Sequence, residues 1–131
     1  IILKQKKESE KDQIRVFDAY DEIKNIGKDS IDLISSGKIS KLGKLMDKHW
    51  EIKKSISTSI SSNRLNNMYE KLKSFGAIGG KIIGAGGGGF FLMVVDKKKN
   101  LFKRKLKING FKIVDFSIEE KGAHVIFDYK R

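Results

Sequence analysis

The 131-residue sequence contains no cysteine and no proline. Without cysteine there is no disulfide framework, no thiol nucleophile and no thiolate metal site, which fits a reducing compartment and makes a cytoplasmic location the expectation. Without proline, helix ends and turns fall to glycine and serine. Arginine is scarce: only four of the 28 basic residues are Arg, although Arg is the side chain suited to bidentate phosphate and base contacts. Long apolar runs are missing too. The longest, Ile82 to Val95, is too short for a membrane span and is broken by glycines. No secretory leader pattern is read at the start, and the opening on Ile1 rather than Met is expected of a piece of a longer protein. His49 and His124, the two histidines, form no metal-ligand spacing with the carboxylates, and His124 falls on an expected strand as a structural residue.

What is abundant is lysine. A net charge of +12 and a pI near 9.8 would attract nucleic acid, an anionic membrane surface or a phosphorylated substrate. The lysines run the length of the chain, interleaved with Asp and Glu, which is the pattern of a solvated surface. At this length the chain is one domain, large enough for a core.

Glycine is clustered instead of spread. Eight of the thirteen glycines lie between Gly76 and Gly89 in GAIGGKIIGAGGGGFFLMVV, which ends at Val95. Glycine loses the most backbone entropy on folding, so such a cluster belongs where the chain needs φ > 0 or close approach. Gly84-Ala85-Gly86-Gly87-Gly88-Gly89 formally satisfies G-x-G-x-x-G, but that fingerprint needs a helix next and here the β-rich Phe90 to Val95 follows. A Walker-type ending is also missing. The stretch is therefore a glycine-rich connection between two strands, Lys81 to Ile83 and Phe90 to Val95. Two readings of it stand: an anion-binding nest of bare amides, or a wide hairpin packed under a neighbouring helix.

Hydrophobic periodicity places helices before it. Glu10 to Ser35 reads as one helix with Val16, Tyr20, Ile23, Gly27 and Ile34 along its apolar stripe. A second runs from Ile39 to Ile60, with His49 and Lys53 at the edge of its stripe. Ser61 or Ser62 caps a third, carrying Leu65, Met68, Leu72 and Phe75 and ending at Gly76. Lys97 to Asn109 is a short basic helix with Leu101, Phe102, Leu106 and Ile108, and Asn109-Gly110 is a turn. Phe111 to Ile118 and Ala123 to Tyr129 read as two more strands. The expected fold is α+β: a helical segment, then a four-stranded antiparallel sheet with packed helices, in strand-strand-helix-strand-strand order.

The run Gly76-Ala77-x-Gly79-Gly80-Lys81-x-x-Gly84-Ala85-Gly86-Gly87-Gly88-Gly89-Phe90 resembles the third motif of the GHMP small-molecule kinases. Its Gly-Gly-Lys plus four-glycine form is most similar to the sugar kinases acting on heptose 7-phosphate, with L-fucose kinases nearby. Trp50-Glu51-Ile52-Lys53-Lys54 and Ser61-Ser62-Asn63 extend the resemblance, which covers Leu42 to Val95 closely. It implies that residues 1–131 are the ferredoxin-like C-terminal domain of a two-domain, ATP-dependent sugar or sugar-phosphate kinase. The nucleotide loop and any catalytic base or Mg²⁺-binding carboxylate would then lie in the N-terminal domain, with no catalytic residue here, and the fragment alone would be inactive.

By the same resemblance Gly84, Ala85, Gly86, Gly87, Gly88 and Gly89 sit near the ATP phosphates and help close the phosphoryl-transfer site. Candidate substrate contacts are Trp50, Lys53, Lys54, Gly80 and Lys81, with His49 beside them. Against each stands a plainer role: Lys81 as a solvated lysine at a strand start, Trp50 as core, the other lysines as surface. The expected partners are a sugar or sugar phosphate and the chain's own N-terminal kinase domain, with no specific nucleic acid and no membrane. The competing function is a basic RRM-like RNA-binding module. Phe90 to Val95 is apolar on both faces, which opposes an open stacking platform, and no RNP-type pattern is present.

Overall fold

The computed structural model describes residue 3, residues 13–84, 88–118 and residue 122. Four helices and one hairpin follow in the order α1 (Gln13–Ser35), α2 (Ile39–Ile56), α3 (Asn63–Phe75), β1 (Gly79–Ile83), β2 (Phe90–Val94) and α4 (Lys99–Ile108). The strands are antiparallel, with Gly80 opposite Met93 and Lys81 opposite Leu92. This is α+β with a two-stranded sheet among the described residues.

The stripe of α1 lies to one side of the expected one. Val16, Ala19 and Ile26 are buried and Ile23 packs against the core that holds Val16 and Ala19, a three-four spacing that turns Tyr20 and Ile34 outward. α1 runs antiparallel to α2, as the Arg15 guanidinium bonded to the Ser55 carbonyl and the Glu22–Lys48 ion pair require. α2 stops at Ile56, not Ile60. Ser57 is extended (φ −155°, ψ 137°), and its hydroxyl accepts from the Ser59 N–H at 3.2 Å. The resulting turn sends Ile56 and Ile60 into the same core.

Ser62 caps α3 as expected, its Oγ accepting from the Leu65 N–H at 3.3 Å, and Gly76 ends the helix at φ 122°. The fully enclosed Trp50 and Tyr69 centre the first core, with Ile82 of β1 against them. Leu72, Ala77, Phe102 and Leu106 form a second core, and Phe91 and Met93 of β2 belong to both. α4 begins two residues later than the periodicity suggests, after left-handed Lys98 (φ 56°), and leaves Ile108 exposed.

Among the described residues the sheet has two strands, and the expected strand at Phe111–Ile118 is not assigned as a third. Phe111 packs edge-on against Phe75 and Ile113 reaches the second core, but the apolar alternation then slips by one residue. Val114, Phe116 and Ile118 consequently point to solvent, since a one-residue slip moves the apolar set to the opposite face. The strand expected at Ala123 to Tyr129, with His124, lies outside the described residues.

Candidate functional site

The hairpin is seated on α2 backbone to backbone. A Cβ on Gly79 would lie 2.2 Å from the Gly43 carbonyl oxygen, and one on Gly43 would lie 2.9 Å from Ile78. Gly80 is equally confined, since its Cβ would fall 2.2 Å from the Leu92 carbonyl oxygen. The two glycines before Lys81 thus bring β1 against its neighbours, and Gly80 is buried instead of presented to a ligand.

A polar chain, buried at its Gly80 end, pins the same point. Tyr69 Oη accepts from the Gly80 N–H at 3.0 Å and donates to Asp47 Oδ1 at 2.6 Å. Lys73 Nζ closes the chain on Asp47 at 3.0 Å. Burial, and then the bond to Asp47, pushes the Tyr69 phenol up, so it stays protonated and donating. The Asp47 bond holds the Lys73 ammonium above its usual range. Asp47, Tyr69 and Lys73 were not singled out in the sequence, although Tyr69 stands four residues after Leu65 and three before Leu72 on the apolar stripe of α3.

With β1 fixed, Lys81 shares a face with Gly79 and therefore points toward α2, where His49 and Lys53 stand one turn apart. Each of the three groups is half-buried. Burial is the main reason the His49 imidazole is pushed below its ordinary range, with Lys81 and then Lys53 adding to it. Lys81 is lowered in the same way, by burial and then by Lys53. No carboxylate among the described residues pairs with Lys53 or Lys81, and His49 Nδ1 is buried without a partner. Two cations beside an imidazole that resists a proton leave positive potential that no carboxylate among the described residues compensates.

The other sequence candidates separate. Lys54 pairs with Glu51 at 2.7 Å and lies 5.8 Å from the Trp50 ring centre. Trp50 is enclosed in the core with its Nε1 unpartnered. Gly84 (φ 125°) and Gly89 (φ 118°) hold the two ends of the glycine connection in conformations that side chains avoid. Open space surrounds the Cβ position of Gly88, so its backbone can be approached. Ala85, Gly86 and Gly87 lie outside the described residues. A groove of about 550 Å³ between α1 and α2 is walled by Asp29 and Asp32 as well as Lys41, Lys44 and Lys48, and so carries both signs of charge.

The α+β domain thus sets Lys53 and Lys81, without carboxylate partners among the described residues, beside a hairpin whose connection is bounded by positive-φ glycines. Its family follows from comparison. The model of the GHMP kinases C terminal matches residues 30–111, and the chain belongs to that family. The chain is also similar to the D-glycero-alpha-D-manno-heptose 7-phosphate kinase of Campylobacter jejuni, 34% identical over 84 residues. That stretch is 63% of this chain and 24% of the relative, so the chain spans only a minor part of the relative's length. No helix among the described residues is long and apolar enough to cross a membrane.

Proposed function

We propose that this chain is the C-terminal domain of a two-domain, ATP-dependent sugar or sugar-phosphate kinase of the heptose 7-phosphate kinase type, working in the cytoplasm. The observation that carries the reading is the pair Lys53 and Lys81, both inside the family-matched segment and without a carboxylate partner among the described residues, with Lys81 three residues before the glycine connection that starts at Gly84. In this reading Gly84 to Gly89 approach the ATP phosphates, and Lys53 and Lys81 meet the sugar phosphate. Trp50, Lys54 and Gly80 act behind them, as packing and support.

The residues present fit such a role for nucleotide. Gly84 and Gly89 take φ > 0, and the Gly88 backbone is open to a phosphate. Mg²⁺ is assigned to the N-terminal domain on the family resemblance. ATP supplies the transferred phosphoryl group when bound. This chain's own part is positioning and charge: Lys81 and Lys53 hold the substrate end remote from the reacting hydroxyl, and the glycine connection closes on the nucleotide side. Positioning of that kind carries much of the barrier reduction in phosphoryl transfer.

The chain by itself should not phosphorylate any sugar. The full-length kinase should, and Lys81→Met should raise its KM for a phosphorylated sugar while leaving kcat nearly unchanged. An unchanged KM would remove Lys81 from the site.

A further inference from the structure

We propose that His49, Lys53 and Lys81 form one site for a phosphate monoester dianion, and that the anion binds together with a proton on His49. The proposal deepens the functional reading above and takes from it only the identity of the natural ligand, a sugar phosphate.

The geometry supplies the cradle. His49 and Lys53 occupy the same side of α2 at a four-residue spacing, and Lys81 faces them from β1, whose position is fixed by the Gly79–Gly43 contact and the Tyr69–Gly80 bonds. Several charged groups on the neighbouring elements are engaged elsewhere. From α1, Arg15 donates to the Ser55 carbonyl and Glu22 pairs with Lys48. On α2, Asp47 is held by Tyr69 and Lys73, and Glu51 by Lys54. From α3 come Tyr69 and Lys73, already bound to Asp47, and β2 brings only apolar side chains, Phe90 to Val94. Nothing among the described residues neutralises the two lysines, so they oppose a proton on the imidazole.

A dianion placed between them reverses that sign. It cancels the lysine field and gives a charged imidazole a counterion, so the proton that His49 refuses in the free protein becomes favourable in the bound one. Three compact donors suit a terminal phosphate, whose oxygens accept from several directions. Lys serves as a point charge there without the bidentate fork of Arg.

The test follows the histidine rings of the 131-residue chain by NMR at constant ionic strength, with His124→Gln assigning the two signals. Sulfate is the first probe because it stays a dianion across the titration. Mannose 6-phosphate and ADP are the second and third. The His49 midpoint should rise by about one pH unit at saturating sulfate and at saturating mannose 6-phosphate. By linkage, sulfate affinity should fall about tenfold as pH rises through the free and bound midpoints. His49→Gln should flatten that dependence, and Lys81→Met should weaken sulfate at every pH.

A His49 midpoint unmoved by saturating sulfate overturns the proposal and needs no variant that might fail to fold. If ADP moves His49 at lower concentration than mannose 6-phosphate, the monoester assignment is overturned in favour of a nucleotide phosphate. The kinase reading is judged separately by turnover: a full-length protein that phosphorylates no sugar defeats that reading and leaves the His49 result standing.

Discussion

Tyr69 is the residue on which the position of Lys81 depends. Its hydroxyl satisfies the buried Gly80 N–H and links it to Asp47 and Lys73. Tyr69→Phe keeps the ring contacts with Trp50 and Phe91 but orphans that N–H, and should cost about 1–3 kcal/mol in urea unfolding. Glycines divide by the same logic. Gly79→Ala and Gly80→Ala drive a methyl into a backbone oxygen and should destabilise by more than about 2 kcal/mol, whereas Gly88→Ala, in open space, should change thermal stability little. Equal midpoints for all three would contradict the close-packed hairpin.

His49 adds a pH dependence whose sign is fixed. Its folded-state value lies below the ordinary 6.5, so as pH falls through the unfolded value the unfolded chain takes up a proton that the folded chain resists. Stability therefore declines on acidification from about 6.5 toward the folded midpoint. The fall in urea midpoint from pH 7 to pH 5 should be smaller in His49→Gln than in the wild type, since carboxylate effects are common to both. Saturating sulfate should reduce the decline.

At the scale of elements, the glycine connection is where function and folding are expected to part. Gly86→Val and Gly87→Val should lower kcat of the full-length kinase by roughly 10²-fold, because small misplacements of the site are that costly. The thermal midpoint of this domain should move only modestly, since connections between elements tolerate change better than cores do. If both variants unfold the domain, or both leave turnover intact, the glycines are packing devices.

The elements also explain what a reader of the sequence can and cannot recover. The hairpin, the Ser62 cap and the Gly76 stop were legible because each rests on local chemistry: a β-rich run, a side-chain acceptor, a positive φ. The α1 stripe was not, because Tyr20 and Ile34 are as apolar as Ala19 and Ile26, and only packing against α2 selects the buried set. The same limit applies to Phe111 to Ile118, where alternation suggests a strand but the slip at Val114 separates the apolar faces. Lys53 and Lys81 are candidates by resemblance to the family motif. Their meeting with His49, and the Tyr69 network behind them, depend on contacts between elements that no spacing encodes.

For the molecule as a whole, a charge of +12 carried mainly by dispersed lysines predicts weak, sequence-independent affinity for single-stranded RNA that disappears as salt is raised. Binding with a base preference at physiological salt would favour the RNA-binding alternative.

The central claim is that Lys53 and Lys81 receive the phosphate of a phosphorylated sugar. It is tested most directly by steady-state kinetics of the full-length kinase with D-glycero-D-manno-heptose 7-phosphate and with the same sugar lacking the 7-phosphate, in the wild type and in Lys81→Met. The account predicts strong preference for the phosphorylated sugar, and a KM at least about tenfold higher in Lys81→Met with kcat within about threefold of wild type. Equal use of the two sugars by the wild type, or a Lys81→Met enzyme with unchanged KM, would contradict it.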